Sequence, residues 1–526
     1  MKVMDENAVL GKAQEPPFQA VSGFAEAEHA APKSLPFGRQ WLYALGQLGW
    51  STLTGLISFQ LVYFYLPPKH EDTEQHVFPV HVTQEPFLVV LNVIAILATA
   101  GRLWDAITDP LIASWSDRLD HRWGRRIPFL AASGLPAAVC CWFLFFPVVK
   151  KESTWNIVWL AVMQALFYFF LTAYVTPYFS LVAELGHTAE ERLNLSTWIS
   201  ITFALGTILA SGTPAIGSAF GLDAVGNFQA GVGVVCTISL VLMYVPVLTI
   251  DEKLYCSSQP SQLSIREALR HCLGNPYFRP YVAADFSYFF GMAIISTGMP
   301  YFLTVLLQLD NNLLVIVFGT IAALSFLLYY PTNLIARCFG KKRPVLFALA
   351  VLNLVYGMIF FLGWLPLPAL VQVFALGGLA SVPIAILGIL PNAILSDIAS
   401  HDSRRTGHKQ EGMYFAARAL LNKLGQSIAI LIFAGLTNFG KDVGDDMGIR
   451  LSGPVGLAFG LMAFISFLYY NEEEVSRESA APGIADSISA LRLATQQDQD
   501  VCKEAPFPDA PSMVTGKHYG VLKLSS

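Results

Sequence analysis

Long apolar stretches alternate with short polar ones along most of the chain. Twelve stretches of about 20 mostly apolar residues begin near Trp41, Phe87, Pro128, Trp155, Leu195, Ala230, Tyr281, Leu313, Pro344, Leu370, Met413 and Pro454. That length is what a helix needs to cross the hydrocarbon core of a bilayer. The pattern predicts an all-α membrane protein with twelve transmembrane helices. Several stretches carry Gly and Pro, which bilayer helices tolerate better than soluble ones. The first 35 residues are polar and lack a basic start leading into an apolar run, so no cleaved signal peptide is expected. From Asn471 onward the chain is polar again and is expected to be a disordered tail.

Lys and Arg set the orientation, because cytoplasmic loops are enriched in them. With both termini on one side, 25 of the 33 basic residues fall on that side and 5 on the other, with Arg102, Arg418 and Lys423 inside spans. Both termini are therefore expected to be cytoplasmic, in a multi-pass cell (inner) membrane protein. An internal repeat organises the rest. The segment from Arg122 through Gly124 to Pro128 is echoed by the segment from Arg337 through Gly340 to Pro344. Likewise Pro177 to Glu184 is echoed by Pro391 to Asp397. The two echoes have nearly one offset. They imply two parallel six-helix bundles, 41–249 and 280–470, joined by a cytoplasmic loop at 250–279. Segments 1–40 and 471–526 flank them on the same side. Paired bundles with a binding site between them at mid-membrane are the major facilitator architecture.

Composition supports a membrane protein and removes other classes. Hydrophobic residues make up 54% and charged residues 13%, about half the charge of a soluble domain. Mean hydropathy is +0.51. A net charge of −5 argues against nucleic acid as a partner. Seven cysteines follow no metal-ligand spacing, and no nucleophile–His set or phosphate loop stands out, so no enzyme activity and no cofactor are expected.

Ionisable groups inside spans are functional candidates, since each costs roughly 2.5–3.5 kcal/mol at the bilayer centre. Asp105 and Asp109 on the second span are i,i+4, so their carboxylates share one helical face. Arg102 is i−3 from Asp105, and span eleven carries Arg418 and Lys423. The spacing predicts that Asp105 and Asp109 are balanced by Lys423 and Arg102 in the empty protein. A hard cation would sit between the acids, with Thr108 or Thr172 supplying a hydroxyl. Paired carboxylates can instead take a proton. The competing reading is a structural salt-bridge cluster. Asp285, at the start of span seven, is expected to be interfacial.

Asp117, Gly124, Arg125 and Arg126 lie between spans two and three. With Glu184 and Asp397 at equivalent cytoplasmic helix ends, they are predicted to form a gate in which acids pair with loop arginines. Trp50, Ser51, Thr176, Phe179 and Trp198 are candidates to line a substrate cavity.

The residues Trp104-Asp105-Ala-Ile-Thr108-Asp109-Pro110, then Ser116-Asp117-Arg118 and Arg122-Trp-Gly-Arg-Arg-Ile-Pro128, resemble the glycoside–pentoside–hexuronide:cation symporters. A second block agrees: Ser396-Asp397, Thr406-Gly407, Glu411-Gly412-Met-Tyr414 and Lys423-Leu-Gly425. The resemblance runs over about 40–470. It implies sodium-, lithium- or proton-coupled symport, with cation-site acids on Asp105 and Asp109, a threonine on Thr172 and a lysine on Lys423. The departures concern substrate. Where galactoside carriers of the family have sugar-gripping acids on spans one and four, this chain has Ser51 and Val175, and their span-five arginine is missing. The expected function is cation-coupled symport of an organic solute, a sugar or glycoside first, by alternating access, with a monomer sufficient. A lysolipid or other amphiphile carrier, or a nontransporting sensor on the same scaffold, are the alternatives.

Overall fold

A computed structural model describes residues 34–69, 75–85, 92–119, 121–186, 189–256, 270, 272–406 and 411–479. Twelve long helices lie among them: α1 Phe37–Leu56, α2 Val93–Arg118, α3 Ile127–Phe143, α4 Thr154–Leu185, α5 Ala189–Ser211, α6 Ala224–Thr249, α7 Phe278–Tyr301, α8 Leu314–Phe339, α9 Lys342–Phe361, α10 Ala369–Thr406, α11 Glu411–Leu436 and α12 Met447–Leu468. Nine of these spans are long and apolar enough to cross a membrane on length and composition alone. Helix α3 is apolar but shorter, and α2 carries Arg102, Asp105 and Asp109. The second predicted start, Phe87, lies outside the described residues. Helices α4 and α10 run on to 32 and 38 residues, past the ends of their apolar stretches.

Packing follows the repeat. In the first half α1 packs on α5 and α6, α3 on α4 and α6, and α2 on α4. In the second half α7 packs on α11 and α12, α9 on α10 and α12, and α8 on α10. Glycine permits the closest approaches. A Cβ at Gly49 of α1 would lie 2.6 Å from the Ser239 carbonyl oxygen on α6. The halves meet along α2–α11, along α5–α8, and where the continuation of α1, Ile57–Leu61 and Val62–Tyr65, packs on α7.

That seam is sealed at one end. The end carrying the basic loops is called the basic end below. At the opposite end, Tyr301 Oη donates to the Leu66 carbonyl at 2.8 Å and Lys441 Nζ to the Pro67 carbonyl at 2.8 Å. The Lys69 amide donates to Asp442 Oδ1 at 2.8 Å. Asn92 has two jobs there. Its side-chain oxygen caps α2 by accepting from the Ala95 amide, and its Nδ2 donates to the Ala434 carbonyl on α11 at 2.7 Å. The seam contacts then run down α2 through Thr99 and Arg102 to Asp109. Asp109–Lys423 is the last described hydrogen bond between the halves toward the basic end.

Candidate functional site

Helices α2 and α4 from one half and α11 from the other bring the site together. Lys423 Nζ lies 2.9 Å from Asp105 Oδ2 and 2.5 Å from Asp109 Oδ2, so one ammonium bridges both carboxylates. Their i,i+4 spacing makes this possible, because it stacks the two side chains one turn apart on a single face. Helix α4 supplies hydroxyls at the same period. Thr172 Oγ1 donates to Asp105 Oδ1, and Thr176 Oγ1 donates to Asp109 Oδ1 at 3.1 Å. Thr108 Oγ1 bonds the Trp104 and Asp105 carbonyls of its own helix and lies 3.3 Å from Thr172 Oγ1. Five oxygen-bearing side chains and one amine thus share a space at the seam. The Asp105 side chain is 9% exposed and that of Asp109 34%, so the approach is past Asp109.

Arg102, Ser51 and Thr176 stand elsewhere than the sequence suggested. Arg102 does not balance the acids. Its guanidinium donates to Ser58 Oγ at 2.9 Å and Gln426 Oε1 at 3.2 Å, and lies over the Tyr168 ring. Helical side chains lean toward the N-terminus, which here is the sealed end, so Arg102 reaches away from Asp105. Ser51 is 2% exposed, donates to the Leu48 carbonyl and faces Gly206 on α5, so it is taken up in helix packing. Thr176 belongs with the acids.

Trp50 and Phe179 do stand together, with ring centroids 5.8 Å apart, and Phe203 of α5 joins them at 6.5 Å. Phe179 and Phe203 are about half exposed. Trp198 instead packs on Trp41 and Phe37, at the basic end of α1, two and a half turns away. Asp285, expected at the interface, is buried, and both its oxygens accept from Arg418 at 2.7 Å.

At the basic end Arg126 pairs with Glu184 at 2.7 Å and Arg125 with the same carboxylate at 3.5 Å. Gly124 turns at φ +104, a left-handed conformation that glycine adopts without strain. Asp397 pairs with Lys341, at 2.5 Å, rather than with an arginine. The Asp117 side chain lies outside what the structure describes. Sequence reasoning missed Glu252, which accepts from the amides of Arg125, Arg126 and Ile127 at 2.9, 2.9 and 3.0 Å. It caps α3 at the positive end of its dipole. Glu472 does the same for α9 through the Lys341 and Lys342 amides, at 2.6 and 2.8 Å. The signal was present. Both acids follow the last span of a half, and both face a loop glycine of the repeat. The named ion pairs, Arg125 and Arg126 with Glu184 and Lys341 with Asp397, each join residues of one half.

Comparison with known proteins agrees with this architecture. The relative YagG of Escherichia coli, whose name marks it provisionally as a glycoside/cation symporter, is 24% identical over 398 residues, covering 73% of this chain and 79% of its own length. The sodium-dependent lysophosphatidylcholine symporter 1-B of Danio rerio is 24% identical over 434 residues, covering 72% and 80%. The solved nucleoside transporter NupG shares the fold, with a TM-score of 0.56 at 10% identity over 82% of this chain and 99% of that one. A family model described as MFS/sugar transport protein matches residues 42–469, and the chain belongs to that family.

Proposed function

We propose that this protein is a cation-coupled symporter of an organic solute, working by alternating access, with the cation held by Asp105 and Asp109. The observation that carries the reading is the single ammonium of Lys423 bridging both carboxylates at the floor of the seam. Two ionised acids in a membrane interior need compensation. In the empty protein Lys423 supplies it across the two halves. A small hard cation competes for the same oxygens and finds Thr172, Thr176 and Thr108 beside them. Cation binding thereby frees Lys423 and loosens a bond between α2 and α11. Occupancy and the relation of the halves become one equilibrium, which is what symport requires. The hydrogen bonds that seal the opposite end suit a state open toward the cytoplasm.

The solute is a sugar or glycoside in the first reading, because apolar sugar faces stack on aromatic walls such as Trp50, Phe179 and Phe203. The second reading is a lysolipid. The same wall carries no acid among its described residues, and relatives are named for lysophosphatidylcholine. Purified protein in proteoliposomes, given sodium and pH gradients separately and offered both solute types, tests the proposal. Accumulation driven by one cation gradient is expected. Binding without flux under either gradient would favour the sensor.

A further inference from the structure

One backbone oxygen gathers donors from both halves at the sealed end. The Pro67 carbonyl accepts from Lys441 Nζ, across the seam, at 2.8 Å. His76 Nδ1, of the same half as Pro67, lies 3.0 Å from that oxygen. A carbonyl only accepts, so Nδ1 carries the hydrogen in the neutral ring. The chain folds back to allow this: Lys69 and His76 form an antiparallel bridge, and the Val77 amide donates to the Pro68 carbonyl at 2.9 Å. The Lys69 amide in turn donates to Asp442 Oδ1 of the other half at 2.8 Å. Two bonds between the halves thus rest on the turn that His76 closes.

A proton on His76 puts a new charge at this joint. Among the described residues three charged groups face it: Lys441 and Asp442 from the loop between α11 and α12, and Lys69 from its own loop. The Lys441 side chain is 11% exposed, so salt and water screen it poorly. Asp442 Oδ1 is already shared by the Lys69 amide and Lys441 Nζ. Burial does most to keep the ring neutral; Lys441 and Lys69 reinforce it, and the Pro67 carbonyl and Asp442 oppose it. When the seam opens here, Lys441 and Asp442 leave with the other half, Lys69 stays, and water takes the vacated side. The open form therefore accepts a proton on His76 more readily than the sealed form, and by linkage the proton favours the open form in equal measure. We propose that His76 is a proton-operated release for the sealed end, so that acid on the side away from the basic loops, the outer side by the positive-inside pattern, opens the seam there. The inference adds regulation to the alternating-access reading and rests on it, whichever cation or solute is carried.

Thr304 reports on the opening, since its Oγ1 accepts from Tyr63 Oη across the seam at 3.2 Å. A cysteine is placed there in the purified full chain, and its rate of alkylation by a polar maleimide is read by mass spectrometry of its own peptide. Rates are taken without solute at about pH 7.5 and about pH 5, either side of the ordinary histidine value, with His76 present and with His76→Gln, which keeps a neutral donor for the Pro67 carbonyl. Dividing the first rate by the second at each pH cancels the ionisation of the probe thiol and any protonation of Asp105 or Asp109. The quotient should rise about fivefold or more on acidification, the low end of ordinary coupling between sites. Lys441→Gln keeps a donor for Pro67 but removes the charge and leaves Asp442 to attract the imidazolium, so in that background the rise should vanish or reverse. The inference is overturned if the quotient stays constant or falls on acidification, or if Lys441→Gln leaves its rise undiminished. A Thr304→Cys protein that stays unlabelled at both pH values, even with Asn92→Ala added, overturns the inference and alternating access together, because the sealed end then never opens.

Discussion

Replacing Lys423 by Ala isolates the competition on which the proposed mechanism depends. The ammonium sits 2.9 and 2.5 Å from the two carboxylates. One pair of unit charges at 4 Å is worth about 4 kcal/mol at an effective dielectric of 20. Much of that attraction is offset by desolvating the ammonium. A net of roughly 2–3 kcal/mol remains for a cation to overcome when it displaces Lys423, or about 30- to 150-fold in affinity. With the lysine gone the two acids face each other across roughly 5 Å and repel by about 3 kcal/mol, which favours a bound cation further. The variant should therefore bind sodium, or a proton, at least 30-fold more tightly than wild type. It should also fail at net uptake, because the empty protein can no longer neutralise its acids and return. Exchange of solute across the membrane with cation on both sides should survive. Equilibrium cation binding and proteoliposome exchange measure the two halves of the prediction. A Lys423→Ala protein that folds normally yet binds its cation no better than wild type would refute competition for a shared site.

Other consequences are local. Glu252→Gln removes the charge from three backbone bonds at the start of α3 and should lower stability by about 1–3 kcal/mol, read as a fall in the thermal midpoint in detergent. Gly124→Ala should do comparable harm, since its Cβ would sit 2.3 Å from Glu252 Oε2 at φ +104, whereas Gly357→Ala on α9 meets nothing within 4 Å and should be neutral or stabilising. Asn92→Ala loosens the sealed end, so a cysteine placed at Thr304 should become more reactive to a polar maleimide than in wild type; equal labelling would mean that the Asn92–Ala434 bond does not hold the seam. Burial depresses His76, in the loop following α1, below the usual histidine value, with Lys441 and Lys69 adding to that and the Pro67 carbonyl and Asp442 opposing it. The folded form thus favours neutral His76. Its contribution is complete above about pH 6.5 and shrinks as pH falls below that, so wild type should lose thermal stability there and His76→Gln should lose less.

Much of the site was legible because charge in an apolar span is hard to conceal. Asp105, Asp109 and Lys423 announce themselves by cost alone, and the i,i+4 spacing already puts the acids on one face. The repeat around Gly124 and Gly340 likewise exposed the two halves. What escaped is what depends on direction and length of side chains. Arg102 shares the acids' helix face, yet its long side chain leans one turn toward the sealed end and meets Ser58. Thr176 sits one turn from Thr172, so it reaches Asp109 as Thr172 reaches Asp105. A helix period applied to α4 as well as α2 would have found it. Ser51 is drawn into the α1–α5 packing by Gly206, a contact between helices far apart in sequence. Asp285 could be read as interfacial only while its partner Arg418, 133 residues on, was unknown. Glu252 and Glu472 act on backbone amides, and the one trace of them in the sequence was their matching place after the last span of each half.

The most direct trial of the account is cation binding to purified wild type and Asp105→Asn, matched for folding by thermal midpoint. Loss of one carboxylate should leave Lys423 paired to Asp109 alone and abolish measurable binding of sodium or of the coupling proton. An Asp105→Asn protein that binds its cation with unchanged affinity would show that the ion sits elsewhere and that the bridged acids serve only to hold α2 against α11.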